Sequence, residues 1–257
     1  MKLYLRFLAM HLKSRMAYKG SFFFYLFGQF LSAFASFAAL YFLLDRFGDV
    51  RGYTLSDCLL CASVMWMAFS LAECFFRGFD MFPGIVRRGE FDRILVRPRG
   101  LMFQVLCQQV EFARLGKLLQ ASLMLSIAIP MSQVEWTALR ILCLISMILG
   151  GWAVFSGLFM LYAALSFFTM EGLECLNCFT YGAREHGMYP LDVYGEKLLK
   201  FCTYVIPYAL FQYYPLQYLI GRGSAACALL PFASALFVLP CWALWRFGVK
   251  RYQSSGS

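Results

Sequence analysis

Side chains able to do chemistry gather at few places in this sequence. Cys58 with Cys61, and Cys175 with Cys178, form two C-x-x-C pairs. Four thiolates at such spacings bind zinc where they converge. Most of the ten cysteines lie inside apolar runs, where cysteine acts as a small hydrophobe. His11 and His186 are the only histidines, which leaves little material for a histidine metal cluster or for acid–base catalysis. The serine elbow G-x-S-x-G is absent. Acids inside apolar runs are the next candidates. Glu73 has Arg77 four residues on, on the same helical face. An acid in an apolar span is costly and often functional, whereas the pair with Arg77 is structural. Both readings stand. Glu111, Arg114 and Lys117 form a charged ladder which, with Gln104, Gln108 and Gln109, either lines a vestibule or snorkels to an interface.

The elements that hold these residues are apolar and long. Of 257 residues, 61% are hydrophobic and 14% charged, against about 25% charged in soluble domains. A soluble fold of this length has too little interior for so much apolar surface. Gly20 to Leu44 carries no charge, and about 20 apolar helical residues cross a bilayer. The expected architecture is all-α: a single polytopic membrane domain over 1–257 with about six spans. They fall at 20–44, 58–76, 104–131, 139–169, 201–220 and 225–247. Residues 1–19 place Lys2, Arg6 and Lys13 opposite Leu3, Phe7 and Met10, which predicts an amphipathic interfacial helix. Gly150, Gly151 and Gly157 predict close helix packing. The fifth span, 201–220, is broken by Pro207 and Pro215.

The net charge of +9 follows this layout. With both termini inside, seventeen basic residues lie in cytoplasmic segments, counting Arg184, Lys197 and Lys200 in a 171–200 loop, and four lie outside. That is a strong positive-inside bias for a multi-pass protein of the cell membrane. No basic stripe with interleaved aromatics points to nucleic acid. The two cysteine pairs then fall near opposite faces, so no metal site is expected.

Segment 77–100 is the densest basic loop. Residues 87–100 read RRGEFDRILVRPRG, a short helix between Gly89 and Pro98 with both charge signs beside Phe91, Ile94 and Leu95. Those apolar side chains require lipid or another protein to bury them. The string resembles the Gly-acidic, Leu-x-Arg-Pro loop of ABC-2-type permeases, the membrane subunits of ATP-binding-cassette exporters. YPLDVYGEKLLKFCTYVIPYALFQYYPLQYLIGR, at 189–222, is similar to that family's Tyr-Pro-Leu segment and broken fifth span.

The resemblance implies that Gly89, Glu90, Phe91, Asp92, Arg93, Arg97 and Pro98 contact an ABC ATPase subunit. It also implies a second permease subunit, identical or different, and re-entrant outer segments after the fifth span. Glu73, Glu111, Pro207 and Pro215 are the candidates for translocation or gating. The phosphate-cradling G-x-x-x-x-G-K-[ST] loop is missing, so this chain binds no cofactor of its own; ATP and Mg belong to the partner ATPase. Few charges in the spans point to amphiphilic or lipid-like cargo. The rival readings are an integral-membrane enzyme acting on lipids, which needs convergent acids or histidines, and an ion-coupled secondary transporter, which needs inverted repeats and paired acids. Neither pattern is seen in the sequence.

Overall fold

A computed structural model describes residues 2–169 and 173–253. Glu171 and the end of the Ser/Gly tail lie outside the described residues. Regular structure among those described is helical, apart from one isolated bridge between Val50 and Tyr53. The helices are α1 (Lys2–Met16), α2 (Lys19–Phe47), α3 (Leu55–Phe75), α4 (Arg77–Asp80), α5 (Phe82–Arg87), α6 (Phe91–Leu95) and α7 (Leu101–Gln108). They continue with α8 (Leu115–Met131), α9 (Ala138–Leu165), α10 (Ala183–His186), α11 (Glu196–Tyr204), α12 (Tyr208–Phe211), α13 (Tyr213–Leu219), α14 (Leu230–Ala235) and α15 (Val238–Arg251). A π-helical turn spans Cys178–Gly182.

Among the described residues, five stretches are long and apolar enough to cross a membrane: Lys19–Arg46, Leu55–Phe75, Phe112–Met131, Ala138–Leu165 and Ala225–Arg251. They differ in what they face. The apolar window of α3 is 83% buried, whereas that of α2 is 17% buried. Helix α3 is therefore the axis of the bundle, and α2 offers its aromatic face outward. A capping box starts α3: the Asp57 amide donates to Thr54 Oγ1 at 3.4 Å, and the Thr54 amide donates to Asp57 Oδ2 at 3.0 Å. Such a cap is worth about 1 kcal/mol. The expected small-residue packing is present on α9. A Cβ at Gly151 would stand 2.7 Å from both Ala68 and Phe211, and one at Gly150 would stand 2.6 Å from the Pro231 carbonyl.

The chain after α9 departs from the sequence reading. Residues 177–192 run along α3 in the opposite direction. Tyr181 meets Phe69 edge-on at 5.2 Å, the Arg184 guanidinium lies 4.3 Å over Trp66, and the Cys61 thiol reaches the Gly187 carbonyl. Tyr53, just before α3, donates to Asp192 Oδ2 at 2.8 Å. The stretch thus passes from the end of the bundle holding 77–100 to the opposite end.

Residues 196–222 then dip inward and return. The Tyr208 hydroxyl donates to the Phe179 carbonyl, Gln217 donates to the Tyr53 hydroxyl, and Arg222 donates to the Gly52 carbonyl at 2.7 Å. So 201–220 is not one span-length helix. It is α11 to α13, a hairpin whose two ends lie at the same end of the bundle. Arg184, Lys197 and Lys200 accordingly leave the basic loop side on which they were counted. Hydropathy misses this because 177–192 is polar and carries Arg184 and Glu185, while α3 and the hairpin pack against one side of it and Cys178 and His186 stay exposed. The helix expected over 104–131 is also divided, with α7 and α8 separated at Gln109–Arg114.

Candidate functional site

Segment 77–100 folds into α4, α5 and α6, each less than two turns long. Pro83 fits the first turn of α5, where a missing N–H costs nothing. Gly89 takes φ +67, which lets the chain reverse between α5 and α6 without a Cβ clash. The expectation that Phe91 and Ile94 need an outside partner is corrected. Both are buried within this chain. Phe91 packs edge-on against Phe82 at 5.1 Å and Tyr252 at 4.9 Å, and beside Phe167 at 5.4 Å. Phe82 in turn meets Trp245 at 4.8 Å. Asp92 hydrogen-bonds to the Tyr252 hydroxyl.

The segment is thereby bolted to the ends of α9 and α15. Its outer surface carries Arg87, Arg88, Arg93, Leu95, Val96, Arg97, Pro98 and Arg99. Val96 is 82% exposed. Glu90 accepts from Arg88 Nε at 2.9 Å on this surface, and that bond holds the Glu90 carboxyl below its usual pKa.

Behind the segment lies a buried charged cluster. Glu73 is fully buried at the end of α3. Lys117 Nζ stands 3.1 Å from one carboxylate oxygen, and Arg114 Nε stands 3.4 Å from the other. Arg77, the partner expected for Glu73, is more distant at 3.9 Å. It turns instead to Asp80 and to the Tyr181 hydroxyl, which donates to Asp80 at 3.0 Å. Burial works to lower the Arg77 pKa, but Asp80, Tyr181 and Glu73 outweigh it and the net shift is upward. Burial raises the Asp80 pKa against the pull of Arg77.

Glu111 is not part of this ladder. It pairs with Arg15 of α1 at 3.1 Å, while Arg114 also donates to Gln29 of α2 at 2.8 Å. Buried Glu73 and largely shielded Asp80 thus face three bases, Arg77, Arg114 and Lys117, and the five residues come from two stretches of chain, 73–80 and 114–117.

The cluster continues into the bundle as a polar seam. Ser63, Trp66 and Ser70 follow one another at helical spacing on α3 toward Glu73, and each of the three has a buried polar atom without a hydrogen-bond partner among the described residues. Gln120, one turn beyond Lys117 on α8, is fully buried with its amide unpartnered. Unpaired polar groups in a protein core are rare and mark water, ligand or a second arrangement.

Pro207 and Pro215 lie in the hairpin, the first preceding α12 and the second in the first turn of α13. Between them, fully buried Gln212 donates to the Gly187 carbonyl at 2.7 Å, the Tyr189 carbonyl at 3.1 Å and the Cys61 sulfur at 2.7 Å. Sequence reasoning missed Gln212, Tyr181 and Gln120. A single amide or hydroxyl in an apolar run gives no signal of what it will meet. Cys58 and Cys61 are buried on α3, whereas Cys175 and Cys178 are exposed.

Five apolar span-length stretches, of which α3 is the most buried, with a basic segment fastened to one end, define a multi-pass α-helical membrane protein. The model of the ABC-2 family transporter protein matches residues 30–256, and the chain belongs to that family. No curated protein and no solved structure matches it.

Proposed function

We propose that this chain is the permease subunit of an ABC exporter, moving an amphiphilic or lipid-like substrate with energy from a separate ATPase subunit. The observation that carries the reading is the two-sided build of 77–100. Its aromatic side is locked to the bundle through Phe82, Phe91, Trp245 and Tyr252, and its other side presents Arg87, Arg88, Glu90, Arg93 and Arg97 to a partner. A load on that surface is passed to α9 and α15 by close packing, and to α3 and α8 through Asp80, Arg77, Glu73 and Lys117. Nucleotide held with Mg by the ATPase then biases two packings of the bundle.

In this reading residues 173–192 make the sixth crossing and 196–222 are re-entrant from the outer face. Helix α1 lies along the inner surface, both termini are cytoplasmic, and a second permease copy, identical or different, completes the path. Affinity purification from detergent is the test. A Walker-A ATPase should co-purify with the wild-type chain and be lost from the R88A/E90A/R93A variant. Recovery unchanged in the triple variant would sink the assignment of this surface. Absence of any ATPase would restore the ion-coupled or lipid-enzyme readings.

A further inference from the structure

We propose that the groove between α1, α6 and α7 is a binding site for an anionic phospholipid of the inner leaflet. It encloses 340 Å³, within the range of small-ligand pockets. Leu3, Phe7, Ile94 and Phe103 wall it with hydrocarbon, and Arg97 and Arg99 stand at its rim. No carboxylate lines it among the described residues, and neither arginine has an ion-pair partner there. Its walls are held in place. Tyr4 and Phe7 pack edge-on against Phe103 at 6.4 and 6.2 Å, and His11 Nε2 bonds with the Cys107 carbonyl at 2.7 Å. The Gln104 amide donates to the Arg99 carbonyl at 2.9 Å and fixes the chain between the two arginines and α7.

Depth selects the occupant. Helix α1 leads within a few residues into the span Lys19–Arg46, and α7 leads into the span Phe112–Met131. Both walls therefore sit where a membrane passes from water to hydrocarbon. A ligand that fits must carry a negative group at the rim and hydrocarbon at the base. A phospholipid phosphate meets the first condition through the planar guanidinium fork, and its upper methylenes meet the second. The inner leaflet is the one rich in anionic lipid, and each basic residue near such a surface contributes about fivefold in binding. The site rests on the proposed orientation but not on the ATPase, and it gives Arg97 a lipid-facing role beside the partner surface.

Lipid retention on the purified full-length chain tests this. The chain is exchanged into detergent holding equal phosphatidylglycerol and phosphatidylcholine, and retained lipids are counted by native mass spectrometry. Wild type should keep phosphatidylglycerol preferentially. R97Q/R99Q should lower that preference roughly twentyfold, while R87Q/R88Q, with the same charge loss on the same segment, should leave it intact.

Equal loss in both variants would mean diffuse charge attraction and overturn the site, as would no headgroup preference in wild type. Displacement of the lipid by glycerol phosphate alone would mean a free-phosphate site and overturn the lipid assignment. Unchanged retention in R97Q/R99Q with loss of the co-purifying ATPase would hand the groove to a protein partner. Lipid selectivity without any ATPase would leave this site standing and remove the exporter reading.

Discussion

Glu73 on α3 and Lys117 on α8 meet at 3.1 Å with both side chains almost wholly shielded, so two spans are joined by a buried ion pair. Removing Lys117 leaves buried Glu73 with only the more distant Arg114 and Arg77, at a cost of up to about 3–5 kcal/mol, whereas replacing both members is far less costly. Lys117→Met should therefore lower the thermal midpoint in detergent substantially. Glu73→Gln with Lys117→Met should recover most of that loss, because Arg77 keeps Asp80 and Arg114 keeps Gln29 as a partner. A double variant as unstable as the single would show that the pair does not bind the two spans.

The path of 173–192 sets the side on which residues 195–197 appear. An epitope inserted between Gly195 and Glu196, where Gly195 has φ +98 and the chain turns into α11, should be reached from outside intact cells. One inserted at Gly89 should be reached only after permeabilisation. The sequence alone predicts both on the inside, so labelling of both from the same side would restore the proline-broken fifth span over 201–220.

Phe91 and Val96 are five residues apart and have opposite environments. Phe91→Ala opens the nest of Phe82, Phe167 and Tyr252 and should cost about 3–5 kcal/mol. Val96→Ser, on the exposed surface, should change stability by less than about 0.5 kcal/mol. Thermal unfolding of the two variants separates an anchor from a contact surface. Equal behaviour would contradict the two-sided build of the segment.

Gln212 holds the hairpin to residues 187–189. Gln212→Leu keeps the bulk but leaves the Tyr189 carbonyl bare and the Gly187 carbonyl with only the weak Cys61 thiol, at about 1–3 kcal/mol. The expected result is faster amide exchange across 196–222 with the rest of the bundle unchanged, since local opening follows local stability. Exchange that rises uniformly, or not at all, would count against a latch at this residue.

Asp80 gives a pH signature. Burial lifts its folded-state pKa above the unfolded value of about 3.9. Between the two values the folded chain holds the proton that the unfolded chain has lost, so stability declines as pH rises through that window. The Asp80→Asn variant should show a shallower decline over the same window. A wild-type midpoint that climbs there while the variant stays flat would reverse the sign and refute the burial argument.

Much of this molecule was open to reading along the chain. Five apolar runs of bilayer length announce themselves because lipid contact demands an unbroken apolar surface, as in the uncharged stretch from Gly20 to Leu44. The Gly89 and Pro98 boundaries of the basic segment and the small face of α9 were legible for local steric reasons. Family membership followed from short strings whose residues lie together in sequence.

Other features were decided only by the tertiary structure. Residues 177–192 are too polar to be expected beside apolar helices, yet α3 and the hairpin pack against them. Phe91 looks like a docking side chain until Trp245 and Tyr252, some 150 positions later, are seen to close over its nest. Glu73 takes Lys117 in preference to its helical neighbour Arg77, because a partner across a helix interface can approach closer than one a turn away on the same helix. Sequence reports what each segment must hide from water. Which segment does the hiding depends on contacts between distant residues, and hydropathy carries no record of them.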